Sequence, residues 1–378
     1  MNGHFNYYLP TNLVFGRGKV LEAGTLAARY GTRVMVVTGG NSTKQCGLLD
    51  KVTELLKKEA MSVTVFDKVR PNPLTTTAEE GARLARENGC QVVVGVGGGS
   101  ILDCAKAIGF LALNQGDIND YIYGRLTGQE ALPLILIPTT CGTGSEGNGF
   151  AVLTNPQNGD KKSLRTDKII AKASIIDSQL METMPPQVLA SVGFDALCHS
   201  MEAFLSSKSQ PITDMLCKRG MELLSHNLVK VYGGNGDDQA WDGVTLASTI
   251  GGMVIHTAGV TLPHGMEHPA SGLKNIVHGR GLAALTPVIT EASITGAPEK
   301  YAWISENLGG NSEKDCREQL EHLLDQLKLH QSLSQLGIQK TDLDWMAENC
   351  MKVSAASIAS HPVVFNQEEI RELYQKAL

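Results

Sequence analysis

The sequence lacks several features that would define particular classes of protein. It has no apolar stretch of the roughly 18–20 residues that a membrane span needs. The segment from Met1 to Gly18 lacks the apolar centre of a signal peptide. There is no basic run, and the formal net charge is −6. Binding to nucleic acid or to an anionic membrane is therefore not expected.

Cysteine is present but not in paired motifs. The eight cysteines are scattered along the chain, and none belongs to a C-x-x-C motif. In a chain of 378 residues, this distribution favours reduced thiols over a disulfide framework. We therefore expect a cytoplasmic protein in which most cysteines act as small buried hydrophobic residues.

The first half of the chain alternates short apolar runs with helical patterns. Apolar runs at residues 33–38, 62–66, 91–96 and 133–138 predict strands. Helices are predicted at 44–58, 76–88 and 101–113, the second with a threonine cap from residues 75–77. Continuous apolar strands separated by helices predict a parallel sheet covered on both faces.

The second half has a different character. After Pro185-Pro186, long stretches with helical periodicity follow, and no convincing strand is found. The stretches are residues 188–205, 212–232, 241–256 and 315–329. Because 378 residues exceed one ordinary core, we predict two domains. These are an α/β, Rossmann-like dinucleotide-binding domain over residues 1–180 and an all-helical metal- and substrate-binding domain over residues 181–378.

Three polar, glycine-rich loops each follow a predicted strand. Glycine lets a ligand approach the backbone closely, and the free N–H groups at a helix start attract phosphate. In a parallel sheet, all three loops should meet at one edge, so together they predict a dinucleotide site. The candidate cofactor-binding residues are Gly39, Gly40, Asn41, Ser42, Gly97, Gly98, Gly99, Ser100, Asp103, Thr139, Thr140, Thr143 and Ser145.

A second group of residues indicates a metal site. Asp195 and His199 are spaced i, i+4, as are His264 and His268, and His278 follows closely. If both stretches are helical, each pair lies on one helix face. One carboxylate and three imidazoles suit a divalent transition metal, without separating Fe²⁺ from Zn²⁺. Four protein ligands leave room for a substrate oxygen if the metal accepts five or six bonds.

These motifs occur in an order that resembles one known family. They include residues 10–18, the Pro71-Asn72-Pro73 turn, residues 97–106 and 138–146, residues 193–199, and the histidines at 264, 268 and 278. On these motifs, which span nearly the whole length, the chain resembles the iron-containing (group III) alcohol dehydrogenases.

The resemblance implies a reaction and roles for residues. It implies reversible hydride transfer between a small alcohol or aldehyde and NAD(P), in a cleft between the two domains, and a homodimer or larger homo-oligomer. The metal, Fe²⁺ or alternatively Zn²⁺, would be bound by Asp195, His199, His264 and His278. His268 would lie near the nicotinamide, where it could pass a proton to solvent. Asn72 and Lys161 are added to the cofactor contacts, with Lys161 reaching the ribose.

The sequence also departs from the family pattern. Cys141 stands where alanine is common, and Ser360-His361-Pro362 replaces a Thr-Asn-Pro-like turn. Members that prefer NAD often carry an aspartate after the first strand. This chain has Gly39-Gly40-Asn41-Ser42 there, with Lys44 nearby. The departure favours NADP slightly over NAD.

Three alternatives remain open at this point. Glycerol dehydrogenases share the implied fold but hold zinc with fewer histidines. Dehydroquinate synthase, a lyase, uses NAD only transiently. A non-catalytic nucleotide- or metal-binding protein would bind the cofactor without reducing it. The identity of the alcohol and the physiological direction are not predicted by the sequence.

Overall fold

The computed structural model describes residues 4–378, which divide into two compact units. The α/β unit comprises Leu9–Thr140 and Gly144–Thr183. The helical unit comprises residues 4–8, Cys141–Thr143 and Met184–Leu378. The predicted fold class, an α/β N-terminal part followed by an all-helical C-terminal part, is confirmed.

The α/β unit is built on a six-stranded parallel sheet. The unit has eight strands in all, six in this sheet and two in a separate hairpin. They are β1 (Asn12–Phe15), β2 (Arg33–Gly39), β3 (Ser62–Val69), β4 (Val92–Gly97), β5 (Leu134–Pro138), β6 (Phe150–Thr154), β7 (Lys161–Arg165) and β8 (Ala173–Ile176). The helices are α1 (Ala23–Ala28), α2 (Ser42–Gln45), α3 (Leu48–Lys58), α4 (Thr75–Glu87), α5 (Gly99–Leu111) and α6 (Ile118–Ile122). The sheet order is β1-β8-β5-β4-β2-β3, while β6 and β7 pair separately as an antiparallel hairpin.

Successive side chains of the central strand β2 pack alternately into two cores, one on each face of the sheet. Val34 and Val36 of β2 pack into one core with α1 and α3. Met35 and Val37 pack into the opposite core with α4 and α5. Since successive side chains point to opposite faces, a strand buried on both sides must be apolar throughout.

The strand order places a switch point between β2 and β4. The chain runs from β2 outward to β3 and then returns to β4 on the other side of β2. Ligands of open parallel sheets bind outside the carboxyl ends of the strands at such a point. The loops after β2, β4 and β5 all leave from this edge, because these neighbouring strands are parallel.

Several sequence-based boundaries were wrong. The helix predicted at 44–58 is interrupted at Gly47, whose positive φ of 74° ends α2 before α3 begins. No threonine caps α4, because Thr75 is already its first helical residue and Leu74 is the N-cap. Strands β1 and β8 were not predicted, nor was the β6–β7 hairpin. The first two have only four residues each, too few to show a period.

The helical unit consists of ten α-helices joined by short turns, within the part of the chain that the structure describes. They are α7 (Pro186–Leu205), α8 (Pro211–Tyr232), α9 (Asp238–Ala258), α10 (Leu262–Lys274), α11 (His278–Ser293), α12 (Pro298–Asn307), α13 (Cys316–Gln326), α14 (Leu343–Val353), α15 (Ala355–Ser360) and α16 (Gln367–Ala377). The four predicted helices correspond to α7, α8, α9 and α13. Four helices carry proline in the first turn, where its missing N–H costs no hydrogen bond.

Helix α7 forms the interior of this unit. It packs against α8, α9 and α11. Contrary to the expectation from the sequence, α7 is long and apolar enough to cross a membrane, and it is the one single helix of this kind among residues 4–378. However, 89% of its apolar 18-residue window is buried inside the protein. Helices α9 and α10 meet the same criterion only together, across a bend of 103°.

Candidate active site

The four predicted metal ligands lie together, with three histidine nitrogens around one oxygen atom of Asp195. Asp195 and His199 lie one turn apart on α7, and the Asp195 Oδ1 to His199 Nε2 distance is 3.7 Å. His264 in the first turn of α10 places its Nε2 at 3.3 Å from the same oxygen. His278, the first residue of α11, places its Nε2 at 3.7 Å. Three imidazole nitrogens from three helices therefore surround a single carboxylate oxygen.

Two atoms at this point have no hydrogen-bond partner among the described residues. They are Asp195 Oδ1 and His264 Nε2. Asp195 is 2% exposed and His264 is 3% exposed. Leaving buried polar atoms unsatisfied costs free energy, and such atoms in a native fold call for an explanation. A divalent cation coordinated by oxygen and nitrogen would supply the missing partner, so the residues fit the metal that the sequence implied.

Each imidazole is also held from its other side. His264 Nδ1 lies 2.5 Å from Glu202 Oε1, and His278 Nδ1 bonds to Glu267 Oε2. His199 Nδ1 lies 3.3 Å from the Gly142 carbonyl oxygen. Carboxylate and carbonyl oxygens only accept hydrogen bonds, so the Nδ1 atoms must donate. In a neutral ring, Nε2 is then the lone-pair nitrogen, which is the form a metal requires.

The charges in the cluster are strongly coupled in the absence of a cation. Burial favours the neutral form of Asp195, but the imidazoles of His199 and His278 outweigh it and hold the pKa of Asp195 well below its usual range. Burial lowers the pKa of His199 to about 4. Burial also opposes the charged form of His264, but the Glu202 carboxylate raises the pKa of His264 to about 10. Asp195 is therefore ready to act as an anionic ligand.

His268 lies beside this cluster. It is half-buried on α10, with its ring centroid 6.3 Å from that of His264 and 5.9 Å from that of His278. One of its ring nitrogens, a Glu267 oxygen and a His278 nitrogen lie within 4.8 Å of one another and form a second group of potential metal-binding atoms. The predicted catalytic role of His268 stays a prediction.

The predicted nucleotide loops lie side by side in the α/β unit. Gly39-Gly40-Asn41-Ser42 follows β2, Gly97-Gly98-Gly99-Ser100 spans the end of β4 and the start of α5, and Thr139-Thr140 follows β5. The Thr139 N–H donates to the Gly97 carbonyl at 3.0 Å. An added Cβ at Gly98 would lie 3.2 Å from the Thr140 side chain. The structure therefore brings the last two loops into direct contact, and a side chain at Gly98 would crowd Thr140.

Asp103 and Ser145, two of the predicted cofactor-binding residues, are hydrogen-bonded to each other. The Ser145 hydroxyl donates to Asp103 Oδ1 at 2.5 Å, and the Val152 N–H donates to Asp103 Oδ2 at 2.9 Å. Lys106 donates to the Ser145 hydroxyl at 2.8 Å. These bonds tie α5 to the loop after β5. A contact of Asp103 or Ser145 with the nucleotide stays a prediction.

The remaining predicted contacts are more dispersed. Asn72 follows β3 and adopts a left-handed conformation with a φ of 52°. Lys161 begins β7 and is 6% exposed. Thr143 belongs to the short segment Cys141–Thr143 that clusters with the helical unit. Their roles toward a nucleotide stay predictions.

Sequence reasoning missed part of the site. Residues 142–147 have the literal G-x-G-x-x-G spacing. However, they lead into the 3-10 turn Ser145–Gly147 and then β6 rather than a long helix, so the context of the dinucleotide fingerprint is missing. Glu202, Glu267 and the Gly142 carbonyl were not predicted. The available signal was the position of each glutamate, three residues after a predicted histidine ligand.

A candidate cation site in one unit and predicted phosphate-binding loops in the other are the combination expected of a metal-dependent dehydrogenase. Comparison with known proteins identifies the family. The model described as iron-containing alcohol dehydrogenase matches residues 10–178, and its Fe-containing C-terminal counterpart matches residues 189–378. The chain belongs to the iron-containing alcohol dehydrogenase family, and it is an oxidoreductase.

Individual relatives match over the full length. The 1,3-propanediol dehydrogenase of Citrobacter freundii is 31% identical over 99% of this chain and 98% of its own. The NAD-dependent methanol dehydrogenase of Bacillus methanolicus is 28% identical over 99% of this chain and 100% of its own. The crystal structure of the archaeal Red Sea brine pool alcohol dehydrogenase ADH/D1 has a TM-score of 0.95 and 30% identity, covering 100% of both chains. These matches do not favour the glycerol-dehydrogenase-like, synthase-like or non-catalytic alternatives.

Proposed function

We propose that this enzyme interconverts a short primary alcohol and its aldehyde with NAD(P), and that Asp195, His199, His264 and His278 bind Fe²⁺ or Zn²⁺ for this reaction. One observation carries the proposal: three Nε2 atoms lie within 3.7 Å of the same Asp195 oxygen. The relatives named for methanol and 1,3-propanediol support a primary alcohol as substrate.

Different residues would have different roles in the proposed hydride transfer. When bound, the cation would act as a Lewis acid toward the substrate oxygen. Asp195 and the three imidazoles would hold it, and all of these side chains except that of His278 are buried. The glycine loops would bind the pyrophosphate of the dinucleotide and so fix its position. Half-buried His268 would carry the alcohol proton toward solvent through its imidazole nitrogen.

NADP is the preferred coenzyme in this proposal. The loop after β2 contains no carboxylate that would repel a 2′-phosphate or bond both ribose hydroxyls. Lys44 in α2 pairs with Asp67, so its positive charge is partly compensated. The lack of an acidic residue is therefore the main support for NADP. NAD is the alternative coenzyme, as named for the methanol relative.

Location and assembly are part of the same proposal. All eight cysteines are free thiols, and seven of them are buried, which agrees with a reducing cytoplasm. A homodimer or larger homo-oligomer follows only from the family resemblance. Light scattering of the purified protein would determine the assembly directly.

One reconstitution experiment tests the central proposal. Metal-depleted protein is loaded with Fe²⁺ or Zn²⁺ and assayed with short primary alcohols and aldehydes, using NAD or NADP, by the absorbance of the reduced nicotinamide. His199→Ala and His264→Ala should lose bound metal and turnover together. His226→Ala removes an exposed histidine on α8 and should change neither. Full activity in a metal-free double variant of His199 and His264 would contradict the proposal.

A further inference from the structure

Two glutamates are buried beside the candidate metal ligands. Glu202 on α7 is 2% exposed and Glu267 on α10 is 0% exposed. Burying a carboxylate away from water is unfavourable unless it is paired or hydrogen-bonded. Neither glutamate is one of the four predicted metal ligands. Their presence at this depth therefore points to a separate role.

The two glutamates occupy equivalent positions in two sequence motifs. The motifs are His199-Ser200-Met201-Glu202 on α7 and His264-Gly265-Met266-Glu267 on α10. In each motif the glutamate follows a predicted ligand by three residues, but it does not bond to that ligand. Glu202 bonds to His264 on α10, and Glu267 bonds to His278 on α11. Each helix thus supplies both a ligand and the carboxylate that holds a ligand on another helix.

Glu202 does more than accept one hydrogen bond. Its Oε1 accepts from His264 Nδ1 at 2.5 Å. Its Oε2 accepts from the Thr261 N–H at 2.7 Å, the Thr261 hydroxyl at 3.3 Å and the His264 N–H at 3.4 Å. Thr261 is the N-cap of α10 but makes no capping bond with its own side chain. Glu202 therefore caps α10 from α7, and the same carboxylate orients the ring of His264.

Glu267 reaches His278 because of a glycine on α11. An added Cβ at Gly281 would lie 2.8 Å from Glu267 Cγ, closer than two carbon atoms can approach. Gly281 leaves the space in which the Glu267 side chain extends to His278 Nδ1. The contact depends on a residue three positions after the ligand that it orients.

We propose that Glu202 and Glu267 are positioning residues that set the metal affinity of the site. With Nδ1 donating to a carboxylate, Nε2 of His264 and of His278 carries the lone pair and is held toward Asp195 Oδ1. Partners of this kind fix the tautomer and orientation of a ligating histidine and raise its basicity. This inference rests on the proposed function, because it requires a cation at the four ligands.

A competing assignment of Glu267 is a second cation site. Glu267, His268 and His278 offer ligand atoms that lie within 4.8 Å of one another. The bond between His278 Nδ1 and Glu267 Oε2 favours a hydrogen-bonded pair, because a cation would compete with the proton between these atoms. The number of ions bound per chain separates the two assignments.

The experiment compares four variants with the wild-type protein. Zn²⁺ affinity is measured by competition with a chromophoric chelator, bound ions are counted, and the absorption spectrum of the Co²⁺ form reports the ligand geometry. Glu202→Gln should bind Zn²⁺ about 10- to 100-fold more weakly, because its amide NH₂ must face a donor on one side or the other. Glu267→Ala should show a similar loss. Glu267→Gln should lose less, since its amide oxygen still accepts the Nδ1–H of His278.

The control is Asp177→Asn in the α/β unit. Asp177 is also a buried carboxylate that accepts backbone N–H bonds, so this variant can lower stability but should keep wild-type Zn²⁺ affinity and Co²⁺ spectrum. Wild-type affinity and spectrum in both Glu202→Gln and Glu267→Ala would overturn the inference while leaving the proposed function intact. Two ions in the wild type and one in Glu267→Ala would overturn the role of Glu267. If Glu202→Gln fails to fold, the two Glu267 variants still decide.

One further outcome concerns both proposals. If the wild-type protein binds no divalent cation at the four ligands, the proposed function fails, and the positioning role fails with it. This outcome is distinct from a wild type that binds one ion and variants that bind it equally well. The wild-type measurement therefore comes first.

Discussion

Asp195 Oδ1 and His264 Nε2 lie 3.3 Å apart, and neither atom makes a hydrogen bond within the described part of the chain. Both are buried, and the Nε2 atoms of His199 and His278 each lie 3.7 Å from Asp195 Oδ1. The sequence brings these atoms together by placing Asp195 on α7 and His264 in the first turn of α10. Their unsatisfied state is the physical basis for placing a cation there.

Metal binding should release protons. In the metal-free protein, the pKa of His264 is raised to about 10, with burial opposing the charge and Glu202 favouring it. His264 is therefore protonated at neutral pH, and a ligand must lose that proton. The apparent metal affinity should rise about tenfold per pH unit below the folded pKa. Calorimetry in two buffers of different ionisation enthalpy measures the release, and identical heats in both would contradict it.

The raised pKa of His264 should also make the stability of the metal-free protein fall at alkaline pH. A histidine whose pKa is raised on folding stabilises the folded state at pH values below its unfolded pKa of about 6.5. That contribution should fall as the pH rises toward the folded value of about 10. Loading the metal replaces the proton, so the loaded protein should lack this alkaline loss. Denaturant unfolding at several pH values, with and without Zn²⁺, tests the difference.

Lys106 should be essential for the stability of the α/β unit. It is fully buried on α5, and its ammonium donates to Ser145 Oγ at 2.8 Å, Asn148 Oδ1 at 3.0 Å and the Phe150 carbonyl at 2.8 Å. Lys106→Met removes three buried hydrogen bonds from a charged donor, and each such bond contributes about 1.5–3 kcal/mol. We expect a loss of about 3 kcal/mol or more, measured by denaturant unfolding.

The matched control for Lys106 is Lys44→Met. Lys44 is exposed and pairs only with Asp67 among the contacts described for it. An exposed ion pair contributes about 0–1 kcal/mol, so this variant should unfold close to the wild type. Equal unfolding midpoints for the two variants would contradict a structural role for the buried ammonium.

Much of the α/β unit was predictable because its strands are buried on both faces. Residues 34–37 and 134–137 are continuous apolar runs, which are typical of a strand that is covered on both faces. The strands β1 and β8 carry no such signal, because four residues are too few to show a pattern. Their place in the sheet depends on pairing with each other and on β5, which the sequence does not encode locally.

The candidate metal ligands were also easier to predict than the groups that bond to their imidazole Nδ1 atoms. Asp195 and His199 lie one helical turn apart, so their proximity follows from helix geometry alone. The partners of the imidazole Nδ1 atoms lie elsewhere: Glu202 is 62 residues from His264, and Gly142 is 57 residues from His199. Only the packing of the helices determines which carboxylate meets which ring. Local patterns therefore predicted the candidate ligands and missed the atoms that bond to their Nδ1 nitrogens.

Coenzyme preference should respond to a charge at Gly40. An added Cβ at Gly39 would lie 3.0 Å from the Ile101 side chain and 3.2 Å from the Val69 carbonyl, but nothing lies within 4 Å of one at Gly40. Gly40→Asp should therefore place a carboxylate after β2 without disturbing the fold. We expect the ratio of kcat/KM for NADP to that for NAD to fall about tenfold or more, an effect of about 1.4 kcal/mol.

The control for this change is Gly40→Asn, which has nearly the same shape without the charge. It should leave the NADP-to-NAD ratio close to that of the wild type. If both variants change the ratio equally, side-chain volume rather than charge is responsible. An unchanged ratio in Gly40→Asp would show that this loop does not contact the 2′-position.

Gly142 should affect metal binding although it supplies no metal ligand. Its carbonyl oxygen lies 3.3 Å from His199 Nδ1. An added Cβ would lie 2.5 Å from the Val192 Cβ and 2.7 Å from the Val192 carbonyl on α7, so the backbone must move. His199 then loses its Nδ1 acceptor, and Gly142→Ala should bind Zn²⁺ about tenfold more weakly. Gly233→Ala at the exposed end of α8, where the nearest atom is 3.3 Å away, should bind it normally. Wild-type affinity in Gly142→Ala would mean that His199 needs no backbone acceptor to present Nε2 to the cation.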